Sequence, residues 1–128
     1  MKKLLLTLLL STSLSTFALE LDFSSDTFCT ESPKAQYRNG LYYQPNQQEP
    51  FTGENVCAYK GFLKYFSKGN ILNGKFDGKW TYWYENGQKK EERNYINGNK
   101  DGKFIWFYKN GQIESVARYK DGACFSGC

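Results

Sequence analysis

The chain has 128 residues and a formal charge of +4, from 17 Lys and Arg against 13 Asp and Glu, and it contains no histidine. This length allows one domain, and the interspersed acids and bases exclude the basic footprint of a nucleic-acid-binding protein. Because histidine, a nucleophile elbow and a phosphate loop are all missing, we expect no enzymatic activity and no cofactor.

The first 18 residues have the three parts of a secretory signal peptide. Lys2 and Lys3 precede an apolar run, Leu4–Leu10, and small residues lead to a cleavage point after Ala18. Removing this segment takes away two lysines and no acid, so the formal charge falls from +4 to +2. The apolar run is shorter than the roughly 20 residues that span a bilayer. We therefore expect a periplasmic or secreted protein without a retained transmembrane segment.

The N-terminal part of the mature chain is irregular in its pattern. Residues 19–37 are rich in Ser and Thr and predict a poorly structured lead-in. A half-repeat follows at Asn39–Tyr43, and residues 44–50 predict a loop. Residues 53–66 resemble a repeat whose turn falls at Lys60 and Gly61. Irregular terminal units are common in repeat proteins, because they cap the array.

The C-terminal half contains an internal repeat with a period of 24 residues. Residues 77–88 read DGKWTYWYENGQ, and residues 101–112 read DGKFIWFYKNGQ. Asn-Gly and Asp-Gly pairs recur between the apolar runs, and such pairs favour the two positive φ angles of a type I′ hairpin turn. The repeat therefore predicts turns at these glycines: Gly78, Gly87, Gly98, Gly102, Gly111 and Gly122.

Aromatic and β-branched runs on both sides of these turns predict antiparallel hairpins. A two-residue loop at Asn86 and Gly87 sets one register, and the loop at Asn110 and Gly111 sets the next. The predicted cross-strand pairs are Tyr84–Lys89, Tyr82–Glu91 and Trp80–Arg93, then Tyr108–Ile113, Trp106–Ser115 and Phe104–Ala117. One hairpin buries too little surface alone, so consecutive hairpins must pack on each other.

The alternation of side chains along a strand assigns the aromatic residues to two faces. One face carries Trp80, Tyr82, Tyr84, Phe104, Trp106 and Tyr108, and the other carries Thr81, Trp83, Ile105, Phe107 and Val116. We expect the first set to form either the core or a surface that binds a partner. Buried aromatic residues dominate the cores of small repeats, and exposed aromatic residues anchor interfaces. If the first set is the core, Trp83 and Phe107 are the better candidates for partner contact.

Four cysteines remain in the exported chain, and an oxidising compartment favours disulfides. Four cysteines allow three pairings, and we favour Cys29 with Cys57 and Cys124 with Cys128, because each pair lies on one side of the repeats. Without histidine or two C-x-x-C knuckles, we expect no zinc site. The spacing of Cys124 and Cys128 also differs from that of a redox-active C-x-x-C pair.

Four short segments resemble the MORN-repeat variant family. They are NGLYY at 39–43, EPFTG at 49–53, YENGQ at 84–88 and NGNKDGK at 97–103. Within that family the chain is similar to the YwqK-type antitoxins of toxin–antitoxin systems, and the resemblance covers residues 38–122. It implies an all-β antiparallel meander of hairpin repeats, and a protein that neutralises a toxin or offers a surface for protein or lipid contact.

These observations give a domain plan and two functional hypotheses. The plan is a signal peptide at 1–18, a lead-in at 19–37, stacked β-hairpin repeats at 38–122 and a Cys-containing tail at 123–128. The first hypothesis is an exported protein-protein interaction module, with a toxin that acts in the envelope as the partner. The alternative is envelope association, in which the repeat sheet contacts membrane lipid or cell-wall polymer.

Overall fold

The computed structural model describes residues 28–32, 34–58 and 65–128. The predicted signal peptide, residues 19–27 of the lead-in and the predicted turn at Lys60 and Gly61 lie outside these ranges. The described residues form β-strands and turns without a helix, as the alternating patterns predicted. The all-β fold class is therefore confirmed.

An antiparallel meander makes up most of the described chain. A separate hairpin joins β1 and β2, and an eight-stranded sheet has the order β10-β9-β8-β6-β5-β4-β3, with β7 paired to β6. The strands are β1 (Gln36–Arg38), β2 (Leu41–Tyr43), β3 (Gly53–Ala58), β4 (Tyr65–Leu72), β5 (Lys75–Trp83), β6 (Lys89–Ile96), β7 (Asn99–Lys100), β8 (Gly102–Phe107), β9 (Ile113–Lys120) and β10 (Ala123–Ser126). Thus β1 begins inside the predicted lead-in, and β10 lies in the predicted tail.

The two ends of the hairpins use different turns. Both residues have positive φ at Asn39–Gly40, Asn73–Gly74, Asn97–Gly98 and Asp121–Gly122, which is the signature of a two-residue type I′ turn. At the other end only the glycine, Gly87 or Gly111, has positive φ. There the loop has three residues, and glycine takes the left-handed position that follows a type I turn.

The prediction of turns at Gly78 and Gly102 is wrong. Gly78 lies inside β5 with φ +72°, and Gly102 begins β8 with φ +99°. The pairing of β5 with β4 shifts register at this point, which is a β-bulge. This bulge contains a left-handed glycine, the conformation that a type I′ turn also requires, so an Asp-Gly pair fits both. The bulge recurs after 24 residues, where it separates β7 from β8.

The predicted register is confirmed in the middle of each long hairpin. The confirmed pairs are Trp80–Arg93, Tyr82–Glu91, Phe104–Ala117 and Trp106–Ser115.

Next to the three-residue loops at Gly87 and Gly111, the predicted register is wrong by one residue. The backbone N–H of Tyr84 donates to the carbonyl of Gln88 at 2.8 Å, so Tyr84 does not lie opposite Lys89. The three-residue loop causes this shift, and a bulge absorbs it. As a result the observed pairs are Trp83–Lys89 and Phe107–Ile113, while Tyr108 bonds Gln112 at 2.8 Å and not Ile113.

We expect Gly87→Val to lower the free energy of unfolding by about 1–2 kcal/mol, because L-residues are strained in the left-handed region and branched ones most of all. Apart from its two chain neighbours, no residue in the described part of the chain lies within 4 Å of an added Cβ at this position, so the loss would come from the backbone alone. Gly87→Asn should lose less, because Asn tolerates this conformation. Urea denaturation of both variants measures the difference, and equal losses would contradict the loop assignment.

The core lies on one face of the sheet, which we call the inner face, and the opposite side is the outer face. Trp80 is 0% exposed and Phe104 is 1% exposed, and both point to the inner face. The β1–β2 hairpin covers part of this face, where Tyr42 stacks on Phe76 at 5.5 Å between ring centroids. Phe28 packs there too, at 4.5 Å from Phe51. Aromatic burial therefore supplies most of the core.

Two disulfides tie the ends of the described chain to the sheet. Cys29 bonds Cys57 of β3, and Cys124 bonds Cys128, which is the pairing that the sequence favoured. Beside the first disulfide, the carbonyl of Phe28 accepts a hydrogen bond from the N–H of Val56 at 2.8 Å. This segment therefore covers the edge of β3.

Candidate functional site

A continuous row of aromatic rings crosses the inner face from β2 to β9. Successive centroids lie 5.5, 5.3, 5.5 and 4.6 Å apart, in the order Tyr42, Phe76, Tyr95, Phe104 and Tyr119. Lys100 caps the last two rings, with its Nζ atom 4.8 Å from the centroid of Tyr119. Rings at these separations stabilise each other beyond their area burial. The inner row therefore belongs to the core.

The predicted inner-face residues fall into three environments. Trp80 is completely buried, and its indole N–H donates to the carbonyl of Asn70 at 3.0 Å. Its assignment to a partner-binding surface is wrong, because the core encloses it. Tyr82 and Trp106 are partly buried against the core cluster. Only Tyr108 is largely open, with 49% of its surface exposed.

Tyr84 belongs to the junction between the two repeats. Its hydroxyl donates to the carbonyl of Phe107, which lies in the next repeat, at 2.8 Å. The ammonium groups of Lys90 and Lys109 lie 6.0 and 5.9 Å from its ring centroid. Tyr84 is therefore occupied in holding the repeats together.

An ion pair at the loop end of the inner face is built around Tyr82. The guanidinium carbon of Arg93 lies 4.7 Å from the centroid of Tyr82, and Arg93 also pairs with Glu91. Burial raises the pKa of Tyr82 to about 12, although the charge of Arg93 opposes the rise. Burial also disfavours the charge on Arg93, but Tyr95 and Glu91 outweigh it and raise the pKa of Arg93. Arg93 is therefore a cation held beside the neutral phenol of Tyr82.

The outer face differs between the two repeats. In the first repeat Thr81 pairs with Glu92, whereas the equivalent residues of the second repeat, Ile105 and Val116, form an apolar pair. The next pair shows the same change, from Trp83–Lys89 to Phe107–Ile113. We call the apolar group of the second repeat the outer patch; it consists of Ile105, Phe107, Ile113 and Val116. Ile113 is its most open member, at 58% exposure.

The first repeat carries a small charge cluster beside the outer patch. The carboxylate of Glu92 lies 3.1 Å from Lys79 and 2.6 Å from Lys89. Burial disfavours its charge, but the two lysines outweigh burial and lower the pKa of Glu92. Glu92 also pairs with Ile105 across β6 and β8. The outer patch is therefore bordered by ionised groups.

Sequence reasoning placed Ile105, Phe107 and Val116 on this face, together with Thr81 and Trp83, but missed the outer patch as a unit. Trp83 and Phe107 occupy equivalent positions, and both are half-buried. Ile113 was predicted to lie opposite Tyr108, and the bulge instead brings it beside Phe107. Comparing the repeats position by position would have revealed the patch, because Lys89 and Glu92 of the first repeat are replaced by Ile113 and Val116 in the second.

Two open clefts of similar size lie at the sheet ends. One, of about 370 Å³, lies between the β1–β2 hairpin and the turn at Asn97 and Gly98. The other, of about 360 Å³, adjoins Glu31, Tyr82 and Arg93. In the described part of the chain, no three potential metal ligands are grouped together. A search of the same residues for a helix able to cross a membrane found none.

Comparison with known proteins agrees with the repeat architecture. Residues 76–97 and 100–121 each match the family described as the MORN repeat variant. These two segments coincide with the two units built from β5 and β6 and from β7 to β9. Searches against curated proteins and against solved structures gave no match. The two central units of the sheet are therefore similar to MORN repeats, which indicates a repeat module for protein binding or membrane association.

Proposed function

We propose that the protein is a non-catalytic repeat module that binds a partner protein through the outer patch. The observation that carries this proposal is the exchange between repeats. The sheet accepts Thr81 and Glu92 in its first repeat, so the fold does not require Ile105 and Val116 in its second. Apolar residues that lie on an open face, and whose apolar character the fold does not require, are typical of interaction sites.

The surroundings of the outer patch favour a protein over a lipid surface. An apolar centre with a charged border is the usual arrangement of a protein interface. Recognition of anionic lipid relies on clustered Lys and Arg without acids. Beside the patch, Glu92 lies between Lys79 and Lys89 and neutralises part of their charge. The partner is therefore a protein with an apolar contact surface.

The compartment in which we expect this binding is the periplasm or the extracellular space. The basic, apolar and small-residue pattern of residues 1–18 supports export. Two disulfides among the described residues fit an oxidising compartment. Together with the similarity to MORN repeats, this supports an immunity-type role, in which the partner is a toxin that acts in the envelope.

The double variant Ile105→Thr/Val116→Glu tests the outer patch by giving the second repeat the residues of the first. We expect the fold to remain, since Lys103 occupies the position equivalent to Lys79, which pairs with Glu92 in the first repeat. Crosslinking and affinity capture from an envelope fraction should recover a partner with the parent protein. Recovery should fall at least tenfold with the double variant, because a charge would enter an apolar contact.

The matched control is Ile96→Lys, which changes another exposed apolar residue of the outer face. Lys120 occupies the equivalent position one repeat later, so the sheet accepts the substitution. Capture by this variant should equal that of the parent. Equal capture by the double variant would disprove the role of the patch. Parent protein that floats with liposomes or sediments with cell wall, and captures no protein, would support envelope association instead.

A further inference from the structure

Hydrogen bonds from the side chains of one loop to the backbone of the next hold the two repeats together at their loop ends. The hydroxyl of Tyr84 donates to the carbonyl of Phe107 at 2.8 Å, and Nδ2 of Asn86 donates to the carbonyl of Lys109 at 3.0 Å. The two acceptors are two residues apart in the chain. The first repeat therefore presents two donors that fit two carbonyls of one segment, the first at the end of a strand and the second in the turn that follows it.

The second repeat presents the same two donors. Tyr108 and Asn110 stand 24 residues after Tyr84 and Asn86. The side-chain oxygen of Asn110 accepts the N–H of Gln112 at 2.9 Å, as that of Asn86 accepts the N–H of Gln88 at 2.9 Å. The two loops are therefore built alike, and both asparagine amides are oriented by the same bond.

The donors of the second repeat lack the acceptors that the first repeat has. Within the described ranges the hydroxyl of Tyr108 has no hydrogen-bond partner, and 49% of Tyr108 is exposed. Nδ2 of Asn110 reaches only the side chain of Gln112, at 3.3 Å. These two donors are available to a ligand.

The sheet edge beside these donors is also open. The pairing of β10 with β9 repeats that of β7 with β6, since Cys124 faces Tyr119 as Lys100 faces Tyr95. The pairing of β10 with β9 ends at Arg118, which pairs with Ser126, and Gly127 then lies against the backbone of Val116. No described strand pairs with Ile113–Ser115 on this side, whereas Glu91 of the first repeat pairs with Trp106 of β8.

We propose that this open edge, which consists of Tyr108, Asn110 and residues 113–115, binds an extended segment of a partner polypeptide by strand addition. The tyrosine hydroxyl and the asparagine amide would donate to two backbone carbonyls of the segment, two residues apart. At the internal junction, Lys109 also lies over the ring of Tyr84, at 5.9 Å. The preferred segment therefore has Lys or Arg as the residue whose carbonyl is the second acceptor, because the cation of that side chain would cover the ring of Tyr108.

A second copy of the chain is the weaker occupant. In a head-to-tail pair the open edge would meet β3 of the neighbour, but the Phe28 segment already lies on β3. Phe28 bridges to Asn55, and its carbonyl accepts the N–H of Val56 at 2.8 Å. Strand addition by a separate extended segment needs no such displacement.

This inference deepens the proposed function by naming a further surface for a polypeptide partner, which adjoins the outer patch at Ile113. It rests on the proposed function only for the class of ligand, a polypeptide. The probe is the fluorescein-labelled, terminally blocked peptide KFIWFYKN, which copies residues 103–110 and thus the segment that accepts the internal bonds. Fluorescence anisotropy measures its affinity for the oxidised protein. Tyr108→Phe should weaken binding about fivefold, because it removes one hydrogen bond.

Tyr84→Phe is the matched control, since it removes the same hydroxyl from the internal junction. It should leave the probe affinity unchanged and lower the Tm by about 4–8 °C. Tyr108→Phe should leave the Tm unchanged, because its hydroxyl bonds nothing in the described structure. The two variants are thus expected to affect different measurements, and any other pattern overturns the proposal.

Hydrogen exchange locates the bound probe. The amides of residues 113–115 should exchange more slowly when the peptide is bound, and slowing only at other residues would overturn the proposal. The single variant Ile105→Thr changes the outer patch on β8 and leaves the edge strand β9 intact. It should bind the probe like the parent, so failure of the outer patch and failure of the edge are separable. Sedimentation that shows a dimer dissociated by Tyr108→Phe would assign the edge to a second copy and also overturn the proposal.

Discussion

Gly69→Ala is expected to lower the free energy of unfolding by about 3 kcal/mol, through overpacking of the core. Gly69 has an ordinary φ angle, so its backbone does not require glycine. The requirement is for space, because a Cβ atom at this position would overlap the indole ring of Trp80. That ring cannot move away easily, since it stacks on Phe76 at 3.9 Å and its N–H bonds Asn70. Urea denaturation measures the loss.

The same substitution in a Trp80→Ala background separates overpacking from any effect on the strand itself. Trp80→Ala alone should cost about 3–5 kcal/mol, as for other buried aromatic residues. With the indole removed, the added methyl group should be neutral or slightly stabilising, because it fills part of the cavity. An equal cost in both backgrounds would show that the close approach of Gly69 to Trp80 does not explain the glycine.

Removing the Cys29–Cys57 disulfide with Cys29→Ala/Cys57→Ala is expected to cost about 3.5 kcal/mol. The two cysteines are 28 residues apart, and the expected loss follows from the loop entropy that the bond removes from the unfolded chain. The bond also fastens the Phe28 segment to β3, so the aromatic contacts of Phe28 should weaken with it. Urea denaturation under non-reducing conditions gives the free energy of unfolding.

The second disulfide provides the comparison. Cys124 and Cys128 are only 4 residues apart, so the loop-entropy relation gives the variant Cys124→Ala/Cys128→Ala a smaller cost, about 2 kcal/mol. This bond lies at the open end of the sheet and fastens no buried aromatic side chain. A larger loss for this pair than for Cys29 and Cys57 would show that the N-terminal segment contributes little to stability.

The regular part of the fold was predictable because the sequence contains the same unit twice. The period of 24 residues and the Asn-Gly pairs placed the hairpins, and alternation then gave the central pairs such as Trp80–Arg93. The errors arose where two different structural features have the same sequence signal. Asp-Gly at residues 77–78 suits a turn and a bulge equally, and nothing local distinguishes a two-residue loop from the three-residue loop at Gly87.

The candidate site was only partly predictable for a different reason. Both faces carry large apolar side chains, so alternation alone did not show which face the N-terminal segment covers. That depends on contacts between distant residues, such as Tyr42 on Phe76. The need for glycine at Gly69 has the same origin, because Trp80 lies on a neighbouring strand. The open edge depends on where strand pairing ends, and the repeat pattern does not give that position.

The meander has a mechanical consequence. Its first and last strands, β3 and β10, lie at opposite edges of the sheet. Tension applied to the two ends of the chain would therefore peel hairpins off one at a time, at low force, instead of shearing all strands together. The covalent link from Cys29 to Cys57 would carry the load past the residues between them. The β1–β2 hairpin would then bear no tension while the repeats beyond it unzip.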